Sequence, residues 1–221
     1  MLEFFISGGV FMIPLLLTSI VSLAFILERA LALRRQHVIP HAVVEAIETW
    51  NSDRLTELRQ LCEQYPSSLS RLVLTAVDHL NWPKSDNVML LQTRARHEIS
   101  RLERGLVVLE MIVGVAPLLG LMGTIHGLMV LFHDLAAAGA GNAVVLARGI
   151  SIALNTTLTG LAIAIPSLVA WSYFSKKVEN LAIEMENLLD EFLRRIYRQQ
   201  TTRSRRSRSV KTRGGERVRS E

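Results

Sequence analysis

The residues best suited to chemistry are hydroxyl side chains placed within long apolar runs. The stretch 116–166 reads APLLGLMGTIHGLMVLF, then a short Gly/Ala/Asn-rich segment, then ARGISIALNTTLTGLAIAIP. Thr124 lies in the first run, and Asn155, Thr156 and Thr157 lie together in the second. Because a hydroxyl can donate and accept a hydrogen bond, such side chains can relay a proton or hold a polar partner.

These polar side chains can also have a purely structural role. A single threonine in an apolar helix is usually bonded to a carbonyl of its own helix. A helix turns about 100° per residue, so consecutive polar residues cannot all lie on one narrow interface. We therefore predict that Thr124, Thr157, Thr156 and Asn155 line a wet cavity or meet another chain, since polarity inside a membrane is costly unless it is used.

Ionisable side chains are scarce at this depth. Residues 111–132 include no Asp, Glu, Lys or Arg, and residues 149–175 include none either. The exception is His126, whose ordinary pKa makes it a candidate proton relay. A neutral histidine hydrogen-bonded at a helix interface fits the same position. If protons cross here, we expect the essential carboxylate to belong to a partner.

Three apolar stretches predict an all-α membrane protein with three transmembrane helices. Uncharged runs cover residues 10–27, 111–132 (with His126) and 149–175. A helix needs about 20 apolar residues to cross the hydrocarbon core of a bilayer. The hydrophobic fraction of 49% thus combines these runs with strongly charged segments.

The distribution of Lys and Arg predicts the topology. Residues 34–104 contain ten and 176–221 contain thirteen, whereas 1–28 and 105–147 contain none. Positive segments remain in the cytoplasm, so the N-terminus is expected outside and the C-terminus inside. The predicted segments are 1–33 with the first span, a cytoplasmic helical domain at 34–104, the second span at 105–133, an external loop at 134–147, the third span at 148–175, a cytoplasmic amphipathic helix at 176–200 and a disordered basic tail at 201–221.

Apolar residues at helical spacing lead into the second span and continue from the third. The second and third helices are therefore predicted to extend into the cytoplasm as an antiparallel pair. The tail is predicted to be solvated or to touch anionic lipid, because no aromatic or structured motif favours nucleic acid. The apolar positions are Val88, Leu91, Ala95, Ile99, Leu102 and Leu106, then Val178, Leu181, Met185, Leu188, Phe192 and Ile196.

Small residues predict where the spans pack together. Helices in a membrane associate by close packing, so glycine and alanine mark their interfaces. Gly120, Gly123 and Gly127 form one seam, and Gly160 belongs to another on the third span. Pro117 and Pro166 are assigned to the same packing role.

The chain resembles the MotA/TolQ/ExbB family of bacterial proton-channel subunits, in particular its ExbB/TolQ branch. The resemblance covers roughly residues 8–175 and is carried by GGVFMIPLLLTSIVSLAFILERALALRR, PLLGLMGTIHGLM and GISIALNTTLTGLAIAIP. It implies a homo-pentameric ring in the bacterial inner membrane, with the second and third helices around a central pore. Thr124 and Thr157 match the family's pore threonines.

The resemblance also implies partners. A single-span protein of the ExbD/TolR type would sit in the pore and carry the proton on a transmembrane Asp. The proton motive force would then drive transport or mechanical work at the outer membrane, with a TonB/TolA-like energy transducer as a further partner. No cofactor or metal is expected, and no enzyme activity, since no nucleophile–base or metal-ligand arrangement is visible.

The chain departs from the family pattern at two positions. Ile152 stands where many members have Glu, and His126 replaces a bulky aromatic residue. We hypothesise that His126 modulates the pore. The alternative function is a non-conducting scaffold for a single-span partner, in which Ile152 would indicate lost proton conduction. A small-molecule transporter fits poorly, since three spans are few and no inverted repeat is visible.

Overall fold

All regular secondary structure in the part of the chain that the computed structural model describes is helical. That part comprises residues 10–49, 55–138 and 143–217, except the side chains of 137, 138, 143, 145 and 199–217. No β-strand occurs among these residues. The helices are α1 (Met12–Ala32), α2 (Arg35–Val38), α3 (His41–Glu48), α4 (Leu55–Gln64), α5 (Ser68–Asp78), α6 (Lys84–Ala138) and α7 (Ala143–Arg217).

Three helices contain stretches long and apolar enough to cross a membrane, which confirms the predicted all-helical membrane fold. They are α1, α6 and α7. Helix α6 has 55 residues and α7 has 75, so each apolar run continues without a break into a charged segment. At about 1.5 Å per residue, both are much longer than a bilayer is thick.

Two predicted segments need comment. Residues 134–138 and 143–147 of the predicted external loop 134–147 are helical, and 139–142 lie outside the described residues. Helix α7 includes residues 201–217 of the predicted disordered tail, whose side chains, like all of 218–221, lie outside the described residues.

The chain divides into two compact units. Met1–Leu33 and Leu102–Lys177 form the first, called the apolar unit here, and Arg34–Arg101 and Val178–Glu221 form the second, called the polar unit. The apolar unit holds the spanning parts of α1, α6 and α7. Its packing positions the polar residues singled out above.

The polar unit has its own apolar core, built from α3 to α7. Ser67 starts α5 as an N-cap, its hydroxyl accepting the backbone N–H of Ser70 at 3.1 Å. This cap stabilises the start of α5, because a serine hydroxyl satisfies an amide that the new helix leaves unpaired. Buried apolar side chains in the unit include Val43, Ile47, Leu58, Leu69, Leu72, Val73, Leu91, Met185, Phe192 and Ile196.

A buried carboxylate joins α5 to α6 in the polar unit. Arg71 Nε donates to Glu98 Oε1 at 2.9 Å, and Arg101 Nη1 lies 3.4 Å from the same oxygen. The Glu98 side chain is only 10% exposed. Burial raises the pKa of Glu98, but the hydrogen bonds and charge of Arg71, with help from Ser68 and Arg101, outweigh it and hold the pKa below its ordinary value.

Replacing Arg71 by Met is expected to destabilise the polar unit at neutral pH by roughly 1–3 kcal/mol, because Glu98 stays buried and charged without its main partner. The lowered pKa means that the pair stabilises the fold above the ordinary carboxyl pKa. That contribution is lost as pH falls through the lowered value, so the variant and the parent should converge in acid. Thermal unfolding followed by circular dichroism across this pH range measures the difference.

Arg59→Met is the matched control for this comparison. Arg59 pairs with Asp78 between α4 and α5, but both side chains are about half exposed. Exposed ion pairs contribute about 0–1 kcal/mol, so this variant should unfold close to the parent at every pH. Equal losses in the two variants would contradict the special role of the buried Glu98 carboxylate.

Cys62 is expected to be almost unreactive in the folded protein. Its side chain is buried on α4, and burial raises the pKa of the thiol to about 11. Because the thiolate is the reacting species, little is available at neutral pH. Maleimide labelling should therefore be slow in the native protein and fast after denaturation in SDS. Rapid labelling of the native protein would contradict the described burial.

Candidate functional site

The interface between α6 and α7 in the apolar unit depends on residues without bulky side chains. A Cβ atom built at Gly160 would lie 2.6 Å from the carbonyl oxygen of Ala116, and one at Gly127 would lie 3.0 Å from the amide nitrogen of Ala153. Backbone is thus packed against backbone, and no side chain fits between. Ile112, Ala116 and Ala164 form a buried apolar cluster in the same interface.

Two further glycines bring the polar residues of α7 against α6. A Cβ at Gly120 would lie 3.0 Å from the Thr156 carbonyl oxygen and 3.2 Å from Thr157 Cα. A Cβ at Gly123 would lie 2.6 Å from Thr156 Cβ. All four predicted packing glycines therefore lie at the α6–α7 interface, where they place Thr156 and Thr157 directly beside α6.

Thr124 and Thr157 meet across this interface. Their hydroxyl groups are hydrogen-bonded to each other. Thr124 Oγ1 also lies 3.2 Å from the carbonyl oxygens of both Gly120 and Ala153, and Thr157 Oγ1 lies 3.3 Å from that of Gly120. Both threonines are half-buried, so part of each residue remains exposed. Two hydroxyls and two carbonyls thus form a compact polar site between apolar helices.

The neighbouring polar residues of α7 have other contacts. Thr156 is 0% exposed, and its hydroxyl bonds to the carbonyls of Ile152 and Ala153 at 3.1 and 3.0 Å. Asn155 is half-buried, and its carbonyl accepts the hydroxyl of Thr159 at 2.7 Å. Of the four predicted pore residues, the structure brings together Thr124 and Thr157, while Thr156 is enclosed between the helices.

His126 lies apart from the hydroxyl pair. It follows Thr124 by two positions, which is about 200° around the helix. Its ring packs against that of Phe11, just before α1, with the centroids 5.5 Å apart and the planes tilted by 59°. The structure therefore associates His126 with the start of α1 and does not bring it to Thr124.

Pro117 and Pro166 lie inside α6 and α7. A proline has no N–H, so each leaves the carbonyl four residues earlier without its helical donor. Beside Pro166, the Ser167 hydroxyl is hydrogen-bonded to that of Ser22 on α1 at 2.6 Å, and both serines are buried. Sequence reasoning missed this contact, because an isolated serine in a span carries no signal of its partner.

Arg29 is a second residue that sequence reasoning did not place. Its side chain is 13% exposed, and Nη1 donates to the Leu102 carbonyl at 3.1 Å while the guanidinium also pairs with Glu28. A Cβ at Gly105 would lie 2.8 Å from Arg29 Cδ, so any larger residue there would require the Arg29 side chain to shift. The contact anchors the end of α1 to α6.

Comparisons with known proteins identify the family of the chain. The family model of the MotA/TolQ/ExbB proton channel family matches residues 66–187. The ExbB-like 1 biopolymer transport protein of Synechocystis sp. is 34% identical over 175 residues, which cover 77% of this chain and 69% of that protein.

Two shorter matches extend the comparison. The biopolymer transport protein ExbB of Helicobacter pylori is 40% identical over 81 residues, covering 37% of this chain and 56% of that protein. The Tol-Pal system protein TolQ of Haemophilus influenzae is 35% identical over 102 residues, covering 46% of this chain and 45% of that protein. With its three apolar helices, the chain belongs to the MotA/TolQ/ExbB proton channel family, in the ExbB/TolQ-like branch, as a multi-pass, energy-transducing membrane subunit.

Proposed function

We propose that this chain forms the proton pathway of an inner-membrane complex that converts the proton motive force into work at the outer membrane. The observation that carries the proposal is the Thr124–Thr157 hydroxyl pair in an otherwise apolar interface. A hydroxyl group can accept one hydrogen bond and donate another while it remains uncharged. The names of the relatives, biopolymer transport proteins and a Tol-Pal system protein, support an energy-transducing role.

The pathway needs a carboxylate from another chain. Residues 111–132 and 149–175 contain no acidic side chain, and His126 packs against Phe11. A single-span partner of the ExbD/TolR type, with an Asp in its span, would supply the group beside Thr124 and Thr157. A TonB/TolA-like transducer would pass the resulting movement to the outer membrane.

The proposed assembly is a homo-pentameric ring with α6 and α7 as an antiparallel pair around the pore. The antiparallel direction of the two helices is supported by the order of their contacts, in which Gly127 meets Ala153 whereas Gly120 meets Gly160, farther along α7. The excess of Lys and Arg in 34–104 and 176–221 supports a cytoplasmic C-terminus. One charge crossing 100 mV releases about 2.3 kcal/mol, so several protons can drive a large rearrangement.

We assign different roles to the predicted site residues. Thr124 and Thr157 form the hydrogen-bonding centre, and Asn155 stays a predicted pore residue. The enclosed Thr156 acts in helix packing, as do the glycines and prolines: Gly120, Gly123, Gly127, Gly160, Pro117 and Pro166. His126 would affect the pore through α1, because its described contact is with Phe11.

The alternative function is a scaffold that holds a single-span partner without conducting protons. Ile152 favours it, since an apolar side chain stands where relatives often have a carboxylate. In the structure, Ile152 Cγ2 lies 3.2 Å from a Cβ built at Gly127, so the residue contributes to apolar packing against α6.

Reconstitution in liposomes with the single-span partner distinguishes the two functions. The partner is recognised as a short chain with one span and an Asp early in it. Proton flux, followed with an enclosed pH-sensitive dye, should require that Asp and disappear in the Asp→Asn partner while the complex remains assembled. A wild-type complex that assembles and conducts no protons is a scaffold. Flux that survives Asp→Asn would contradict the proposed pathway.

A further inference from the structure

We infer that the Thr124–Thr157 pair, in the arrangement seen here, binds a neutral carboxylic acid in preference to a carboxylate. The inference rests on the proposed function, in which a partner's acid reaches this pair. It adds a selectivity for one protonation state of that acid, and it follows from counting donors and acceptors at the site.

The pair has enough internal acceptors to satisfy both of its hydroxyl protons. Each hydroxyl carries one proton and has two lone pairs. The acceptors within reach are the partner hydroxyl and the carbonyls of Gly120 and Ala153. Each of these carbonyls can also accept a helical N–H, since a carbonyl oxygen has two lone pairs.

Two arrangements of the protons satisfy the distances. In one, Thr157 donates to Thr124, and Thr124 donates to a carbonyl of Gly120 or Ala153. In the other, Thr124 donates to Thr157, and Thr157 donates to the Gly120 carbonyl. In both, the two protons point into the chain. A group that reaches the two hydroxyls then meets only lone pairs.

The two forms of an acid meet this surface differently. A protonated carboxyl group has an O–H to donate and finds an acceptor, whereas a carboxylate can only accept and finds no donor. To donate a hydrogen bond to the carboxylate, a threonine must rotate its hydroxyl proton outward and lose an internal hydrogen bond. Burying a charged group without such bonds is costly, so the neutral form is favoured.

The charges around the pair do not reverse this preference. On α6, residues 111–132 have His126 as their one titratable side chain, and it lies against Phe11. On α7, residues 149–175 have only Tyr173, near the end of the span, and on α1 residues 10–27 have none. These stretches contain no Lys or Arg that could stabilise a carboxylate.

A synthetic transmembrane peptide tests the inference. The probe is a Leu/Ala helix with one Asp at its centre, incorporated in liposomes with the full-length chain. Infrared bands of the protonated and ionised carboxyl groups, followed as pH is raised, give the apparent pKa of the bound peptide. The apparent pKa of the peptide Asp should be about one unit higher with the wild-type chain than with the Thr124→Val/Thr157→Val double variant. That difference is a tenfold shift in the ionisation equilibrium.

Matched variants separate hydroxyl chemistry from packing. Thr159→Val removes a hydroxyl that bonds to its own helix, and it should behave as wild type. Thr157→Ser keeps the hydroxyl and should retain the shift. Energy transfer from the chain's tryptophans to a labelled peptide reports binding in every sample.

Three outcomes would overturn the inference: a lower apparent pKa with the wild-type chain than with the double variant, equal values in the two, or no binding of the Asp peptide to the wild type. Such a result leaves the proposed pathway standing if proton flux with the natural partner still depends on its Asp and on Thr157. Loss of that dependence would instead reject the proposed function.

Discussion

Replacing Thr157 by Val is expected to reduce proton flux through the reconstituted complex roughly 10- to 100-fold, because a hydrogen bond to a charged or transferring group is worth about 1.5–3 kcal/mol. Valine has nearly the same shape as threonine, so packing against Gly120 should persist. Thr124 keeps its carbonyl acceptors at Gly120 and Ala153 but loses the hydroxyl across the interface. Dye-reported flux in liposomes, normalised to assembled complex, measures the effect.

Thr159→Val is the control for this experiment. It makes the same substitution on the same helix, at a hydroxyl that is bonded to the Asn155 carbonyl. Its flux should equal that of the parent. If Thr157→Val dissociates the complex, Thr157 is a packing residue, and if it conducts like the parent, the hydroxyl pair is not on the proton pathway.

Gly160→Ala is expected to destabilise the α6–α7 interface by about 1–3 kcal/mol, as inserted atoms do in a closely packed core. The new Cβ would lie 2.6 Å from the Ala116 carbonyl and 3.1 Å from Gly120 Cα, both of them backbone atoms. Backbone cannot turn aside as a flexible side chain can, so the helices must separate. Thermal unfolding of the purified protein in detergent should show the loss, and flux should fall because Thr124 and Thr157 move apart.

Gly114→Ala provides the opposite case, on the apolar span of α6. A Cβ at Gly114 would meet no atom within 4 Å. Alanine favours a helix over glycine by about 1 kcal/mol, so this variant should be unchanged or slightly more stable. If both substitutions behave alike, the close approach at Gly160 does not limit stability.

Local properties made much of the fold predictable from sequence. Long uncharged runs have no low-energy state in water, and in a bilayer they must form helices that satisfy their own backbone. The helical spacing of apolar residues past the spans likewise predicted the continuous helices α6 and α7. The glycine seams were recognisable because only small residues allow close packing in a membrane.

Contacts between distant residues were beyond such reasoning. The adjacent threonines Thr156 and Thr157 have the same local chemistry, yet one is enclosed and the other meets Thr124. Which of them faces α6, and how, depends on helix rotation about its axis. Ser22 and Ser167 are 145 residues apart, and no local pattern reports their hydrogen bond.

The sequence by itself determined the three apolar spans, the polar residues within them and the absence of an acidic group at their depth, because these depend only on residue type and order. The tertiary structure alone decided that the hydroxyl groups of Thr124 and Thr157 bond to each other, that His126 lies against Phe11, and that the Arg29 side chain packs beside Gly105. These contacts depend on the rotation and register of whole helices, which are set by the sum of many packing contacts along their length.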